Sequence, residues 1–258
     1  MTELIPDLSV LLLILVRVSA FFVSVPFLSY RTIPAQLRIA LALILSWMMY
    51  YTLNVEPFPI DGEYLLLIMK EAIIGLSIGL VAYIVTSAVQ IAGGFIDFQT
   101  GFALANIIDP QTGAQSPLMG QFFNFLLLFV LLSTNGHHLI LDGIFYSYQF
   151  VPIDQLTPNF GDANTVEFIA KLFTSVFAVA FQMSAPVVAT IFLVTIALGI
   201  TGKTVPQLNI FVVGFPINIA VAFLVLFIVM GLMITVMENV VEMMILAMRD
   251  LMQYLGGS

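Results

Sequence analysis

Six apolar stretches, each long enough to cross a bilayer or to lie deeply buried, leave this chain few ways to fold. They run roughly from Leu8 to Leu28, Gln36 to Leu53, Tyr64 to Ile91, Gln121 to Tyr148, Val166 to Ile200 and Leu208 to Met237. A helix rises about 1.5 Å per residue, so about 20 apolar residues cross the hydrocarbon core. Lipid offers backbone amides no partner, so such runs close their hydrogen bonds internally as helices. The expected class is all-α, with each run a spanning or deeply buried helix. A seventh piece, Glu238 to Leu255, alternates acids with methionines and leucines and is expected to be an amphipathic tail at the membrane interface.

Composition narrows the function. Only 9% of the 258 residues are charged, against roughly a quarter in ordinary globular chains. The net charge is −8 with just seven Lys and Arg, which leaves no basic patch for nucleic acid. The chain has no cysteine, so disulfides, thiolate metal sites and thiol nucleophiles are excluded. The opening MTELIPDLSV carries acids where a signal peptide carries its positive region, and the first run is expected to be retained. Arg31, Arg38 and Lys203 place the first and fifth loops in the cytoplasm by the positive-inside bias, whereas Lys171 and Arg249 fall on the other side under strict alternation. The runs 64–91 and 166–200 exceed a bilayer's thickness, which is compatible with tilt or with helices outside lipid.

Ionisable residues inside the runs are the next constraint. Arg17 lies in the middle of the first, Lys70 and Glu71 near the start of the third, and Asp142 in the fourth. A charge facing lipid at mid-depth costs about 2.5 to 3.5 kcal/mol, so each must face protein or water. Glu71 and Asp97 are both candidate partners for Arg17. A structural ion pair is the plain reading, and a transport pathway the sharper one. Small residues at helical spacing in the third run, Gly75, Ser77 and Gly79, then Ser87, Gly93 and Gly94, let backbones approach closely.

Two stretches interrupt the apolar pattern. From Gly199 to Asn218, GITGKTVPQLNIFVVGFPIN, the chain holds Gly202, Pro206 and Pro216 beside Lys203, Gln207 and Asn209, and a bend is expected. Gln90 to Pro117 is the densest polar passage, with Asp97, Gln99, Asn106, Asp109, Gln111 and Gln115. Its DPQTG and QSP turns end any helix near Ile108 and begin a loop running to Gly120. The enzyme-like residues are Asn135, Gly136, His137, His138 and Asp142. His138 and Asp142 share a helix face and offer at most a base with its orienter or part of a metal site, against helix capping as the plain alternative. Nothing resembles HExxH, GxSxG or a phosphate-cradling glycine loop.

Four stretches, in order, resemble the FliR/SctT family of type III export components: EAIIG at Glu71 to Gly75, QIAGGFIDFQTGFALANIIDPQTGAQSP at Gln90 to Pro117, NGHH at Asn135 to His138, and KTVPQLNIFVVGFPINI at Lys203 to Ile219. Lys203 departs from the more usual Arg and loses its planar fork, and Asn218 stands where a Lys is usual. The GFP triplet favours the flagellar branch. The resemblance implies a non-enzymatic structural and gating subunit of the flagellar export gate, located at the bacterial inner membrane in the flagellar basal body and carried largely above the bilayer plane. One such chain would join several copies of FliP and FliQ around a closed pore, with FlhB wrapped outside and unfolded flagellar subunits as cargo. It implies a FliP-like part over 1–165 and a FliQ-like helical hairpin over 166–258, the latter including SAP at Ser184 to Pro186. It also implies a pore plug made of Ile108, Asp109, Pro110, Gln111, Thr112, Gly113, Ala114, Gln115, Ser116 and Pro117. Structural or subunit-contact roles fall on Arg17, Glu71, Gly75, Asp97, Lys203, Pro206, Gln207, Asn209, Phe215 and Pro216. No cofactor or metal is implied. The alternatives are a secondary transporter with a midplane site at Arg17, Glu71 and Asp97, and an intramembrane enzyme using His137, His138 and Asp142.

Overall fold

The computed structural model describes residues 7–30, 32–53, 55–102, 117–155, 158, 161–205 and 209–256. Among these residues the chain is all-α, with seven helices and no strand: α1 (Leu8–Ser24), α2 (Ala35–Leu53), α3 (Gly62–Thr100), α4 (Leu118–Ser133), α5 (Gly136–Phe150), α6 (Ala163–Thr204) and α7 (Ile210–Gly256). Four of them, α2, α3, α6 and α7, are long and apolar enough to cross a membrane, and a fifth span exists if α4 and α5 together count as one. Each of the six apolar runs was expected to be a spanning or deeply buried helix, and α1 is of the buried kind, with Leu13, Ile14, Val18 and Phe21 fully enclosed. It stops after 17 residues because Pro26 forces the residue before it into an extended conformation, and Val25 has ψ 136°.

Three elements differ from the sequence pattern. Residues 121–148 read as one apolar run but form two helices. Asn135 takes a left-handed conformation with φ 55°, which asparagine tolerates better than other non-glycine residues, and the Thr134 amide closes α4 by donating to Val130 O at 2.9 Å. Second, Glu238 to Leu255 is not a separate piece but continues a longer helix without a break. It is the last third of α7, with Val240, Val241, Met244, Met248, Leu251, Met252 and Leu255 buried and Glu238 and Glu242 exposed. Third, Pro216 lies inside α7 and Pro186 inside α6. Each removes one amide donor without ending its helix.

The helix is interrupted within the 199–218 stretch, as expected. α6 ends at Thr204 and α7 begins at Ile210. The Val212 amide donates to Asn209 Oδ1 at 3.4 Å, a weak cap for the first turn of α7.

Packing divides the chain into two compact units, one of Met1–Thr86, Asn135–Phe173 and Glu242–Ser258, the other of Ser87–Thr134 and Thr174–Val241. In the first, α1 and the first half of α3 bury Leu13, Ile14, Phe21, Ile74 and Ile78 completely. A Cβ on Gly75 would land on the Arg17 carbonyl oxygen, and one on Gly79 on Ser24 Oγ, so the two backbones touch only because both positions lack side chains. In the second unit, a Cβ on Gly93 would collide with the backbone of Gly120, a second glycine-mediated crossing. Large apolar side chains elsewhere stay open, among them Phe181 at 67% and Phe227 at 84% exposure. A chain with that surface needs lipid or protein against it.

Candidate functional site

The first unit holds a fully buried charge cluster. Glu71 and Gly75 are four residues apart and share one face of α3. Gly75 draws the α1 backbone in at Arg17, and Glu71, one turn earlier, receives the guanidinium. Arg17 Nε donates to Glu71 Oε2 at 2.5 Å and Nη2 to Oε1 at 2.9 Å, the bidentate fork that only arginine makes. Neither side chain has any exposure. Nη1 donates to Ser147 Oγ at 3.1 Å, Nη2 also donates to Val151 O at 2.9 Å, and the guanidinium carbon lies 3.8 Å from the centre of the Tyr148 ring.

Lys70 shares the same carboxylate. Its Nζ lies 2.6 Å from Glu71 Oε1 and donates to Pro152 O at 3.0 Å and to Ile153 O at 2.7 Å. Two cations therefore face one anion. The surplus positive charge is met by three successive carbonyls, those of residues 151 to 153, just past the C-terminal end of α5, where the helix dipole is negative and carbonyls lack intrahelical partners. Tyr148 adds the negative face of its ring. A buried ion pair of this kind gains stability only when its remaining hydrogen-bonding groups are satisfied, and here every nitrogen of Arg17 and the Lys70 ammonium have an acceptor.

The second unit contains a related arrangement. Gly93 and Asp97, again four apart on α3, meet the start of α4. Gly93 admits the backbone at Gly120, and Asp97 Oδ2 accepts from the Met119 amide at 2.9 Å. A carboxylate there satisfies an orphan donor and complements the positive end of the α4 dipole. Asp97 is thus engaged within its own unit, and the partner of Arg17 is Glu71. Gly101 follows the end of α3 with φ +90°, and a Cβ on it would fall on the Phe215 ring of α7.

Of the remaining candidates, Lys203 is exposed in the last turn of α6, Asn209 precedes α7, and Phe215 and Pro216 lie exposed in the first turns of α7. Pro206 and Gln207 fall outside the described residues, as do Ile108 to Ser116 of the expected plug. Pro117 is described and is the N-cap of α4. His137 and His138 open α5 with ring centres 4.2 Å apart, and no group of three or more His, Asp or Glu side chains placed to hold a metal occurs among the described residues.

Sequence reasoning did not identify Ser147, Tyr148 or the 151–153 carbonyls as partners of the cluster. No residue pattern marks them, since backbone carbonyls are common to every sequence. The Gly93–Gly120 crossing had half a signal, the small residues of the third run.

The profile of the family described as bacterial export proteins, family 1, matches residues 8–244. The chain is 52% identical to the flagellar biosynthetic protein FliR of Bacillus subtilis over 96% of both chains. It is 26% identical to the FliR of Escherichia coli over 80% of this chain and 78% of that one. It is also 31% identical to the Yop proteins translocation protein T of Yersinia pestis, over 83% of each chain. With its helices, small-residue crossings and matched length, the chain belongs to family 1 of the bacterial export proteins.

Proposed function

We propose that this chain is a non-enzymatic, structural and gating subunit of the flagellar type III export gate. It joins FliP and FliQ copies around a closed pore at the bacterial inner membrane, in the flagellar basal body. FlhB sits outside this gate and unfolded flagellar subunits pass through it. The observation that carries the reading is the 52% identity to a flagellar biosynthetic protein over 96% of both chains, against 31% to the Yersinia translocation protein. The physical character of the chain supports it. Its buried charges, Arg17, Lys70, Glu71 and Asp97, are held in pairs and a helix cap, while large apolar side chains on α2, α6 and α7 remain open for partners. The buried pair also speaks against the transporter alternative, because Arg17 and Glu71 are closed by protein partners on every side and leave no position for a solute.

In this reading residues 1–165 are the FliP-like part, residues 166–258 are the FliQ-like hairpin, and Ile108 to Pro117 form the plug. The set Lys203, Pro206, Gln207, Asn209, Phe215 and Pro216 lines the bent turn that meets neighbouring subunits. Coexpression with FliP-like and FliQ-like partners, followed by native mass measurement, tests the assignment. One complex containing all three chains is expected, and a chain that purifies alone from those membranes overturns it. Deletion of 108–117 within the assembled gate should make the membrane leaky to ions and small solutes, and an equally tight gate would remove the plug assignment.

A further inference from the structure

We infer that the groove between α5 and the last turns of α7 is a docking site for a helix of a protein partner, one that presents a cation and an anion one turn apart with a large apolar side chain between them. The groove lies wholly within the first unit and has a volume of about 530 Å³. Its floor is apolar, built from Ile245, Met248 and Met252 of α7 under Tyr146 of α5. The two helices come together closely because residue 143 is glycine, where a Cβ would press on the Met248 methyl group at 3.0 Å.

Asp142 on α5 and Arg249 on α7 both line the groove. They carry opposite charges, both are exposed, and neither takes part in an ion pair among the described residues. The buried charges of this unit, Arg17, Lys70 and Glu71, are by contrast paired with one another. Opposite charges that flank an apolar floor without meeting each other leave room between them for an occupant carrying the complementary pair. Residues three or four apart on a helix present such a pair on one face, and an amphipathic helix laid in a groove is anchored by side chains at that spacing. The lining favours a protein over a lipid chain. Tyr, Met and Arg are the side chains enriched at protein interfaces, and an apolar centre with a charged rim is interface anatomy. Purely aliphatic lipid would leave both rim charges unmet.

The test uses the full chain in its native membranes, with Tyr146→p-benzoylphenylalanine as the photocrosslinking probe and Phe227→p-benzoylphenylalanine as an exposed control. The expected product is an adduct between the Tyr146 probe and a helical peptide of another protein that bears a cation and an anion three or four residues apart. Asp142→Lys and Arg249→Glu should each lower its yield at least fivefold. Exchanging the two partner charges should restore the yield in the double variant D142R/R249D. The neutral variants D142N and R249Q, at exposed positions, give the same reading at smaller amplitude if the reversals disturb folding. An adduct with phospholipid alone, an adduct of twice this chain's mass, or a protein adduct indifferent to both charges overturns the proposal. Copurification with FliP-like and FliQ-like chains, scored in the same membranes, reports on the export-gate reading separately, because the groove requires only some partner of the stated chemistry.

Discussion

Arg17 and Glu71, 54 residues apart, meet through a two-pronged ion pair with no side-chain exposure on either partner. The pair ties α1 to α3, and Lys70 extends it to the carbonyls that follow α5. Three segments distant in sequence are thus pinned at one carboxylate.

Because that carboxylate serves two cations, the three charges are not equivalent. Glu71→Gln leaves two buried cations without an anion, and breaking a buried pair from one side costs about 3 to 5 kcal/mol. Lys70→Met leaves the neutral Arg17–Glu71 pair in place and is expected to cost well under half as much. Thermal unfolding of the detergent-purified chain checks the order. Equal losses for the two variants would show that the carboxylate is not the shared anchor.

Gly75→Ala and Gly79→Ala should both destabilise, because each new methyl meets backbone or side-chain atoms of α1. Overpacking of this kind costs about 1 to 3 kcal/mol. Gly231 in α7 has nothing within 4 Å of its notional Cβ, so Gly231→Ala in the isolated chain should gain up to about 1 kcal/mol from helix propensity. Circular dichroism melts of the three variants give the comparison.

Gly101→Ala carries two penalties, a positive φ and the Phe215 ring. Alanine in that backbone conformation costs about 1 kcal/mol or more, and the ring must also move. The double variant Gly101→Ala with Phe215→Ala should regain the steric part and keep the backbone part. A double-mutant cycle reads this as a coupling of about 0.5 kcal/mol or more, and strict additivity would refute the contact.

Asp97→Ala removes the acceptor for the Met119 amide and should cost about 0.5 to 2 kcal/mol, the usual range for losing a helix N-cap. Asp97→Asn keeps an acceptor and should lose less than half of that. Hydrogen exchange at Met119 should accelerate in the alanine variant while amides in the middle of α4 change little.

Much of the architecture was legible in the chain alone, and the departures have identifiable causes. The helical class followed from apolar runs that lipid would leave no other option, and the break after Lys203 from the proline and polar side chains there. Glu71 and Asp97 were both candidate partners for Arg17, since a charge at that depth needs one, and the fold pairs it with Glu71. The Asn135–Gly136 pair was read with the histidines beside it, and its backbone meaning, a left-handed residue that ends α4, became visible only in the fold. Glu238 and Glu242 suggested a separate tail because acids interrupt an apolar pattern. The helix absorbs them by turning them outward while Met244, Met248 and Met252 face in.

By itself, then, the order of residues determined that this chain is helical, that its inner charges must find partners, and that small residues on α3 mark places of close approach. Those conclusions rest on local chemistry and on the cost of unmet polar groups, which any environment imposes. The tertiary structure alone decided that Glu71 serves Lys70 as well as Arg17, that the carbonyls of residues 151 to 153 balance the surplus charge, and that Asp97 caps α4. Apart from Lys70, which adjoins Glu71 in sequence, those partners are backbone groups or side chains from other helices. Every residue carries the same amides and carbonyls, so only their placement in space could single them out.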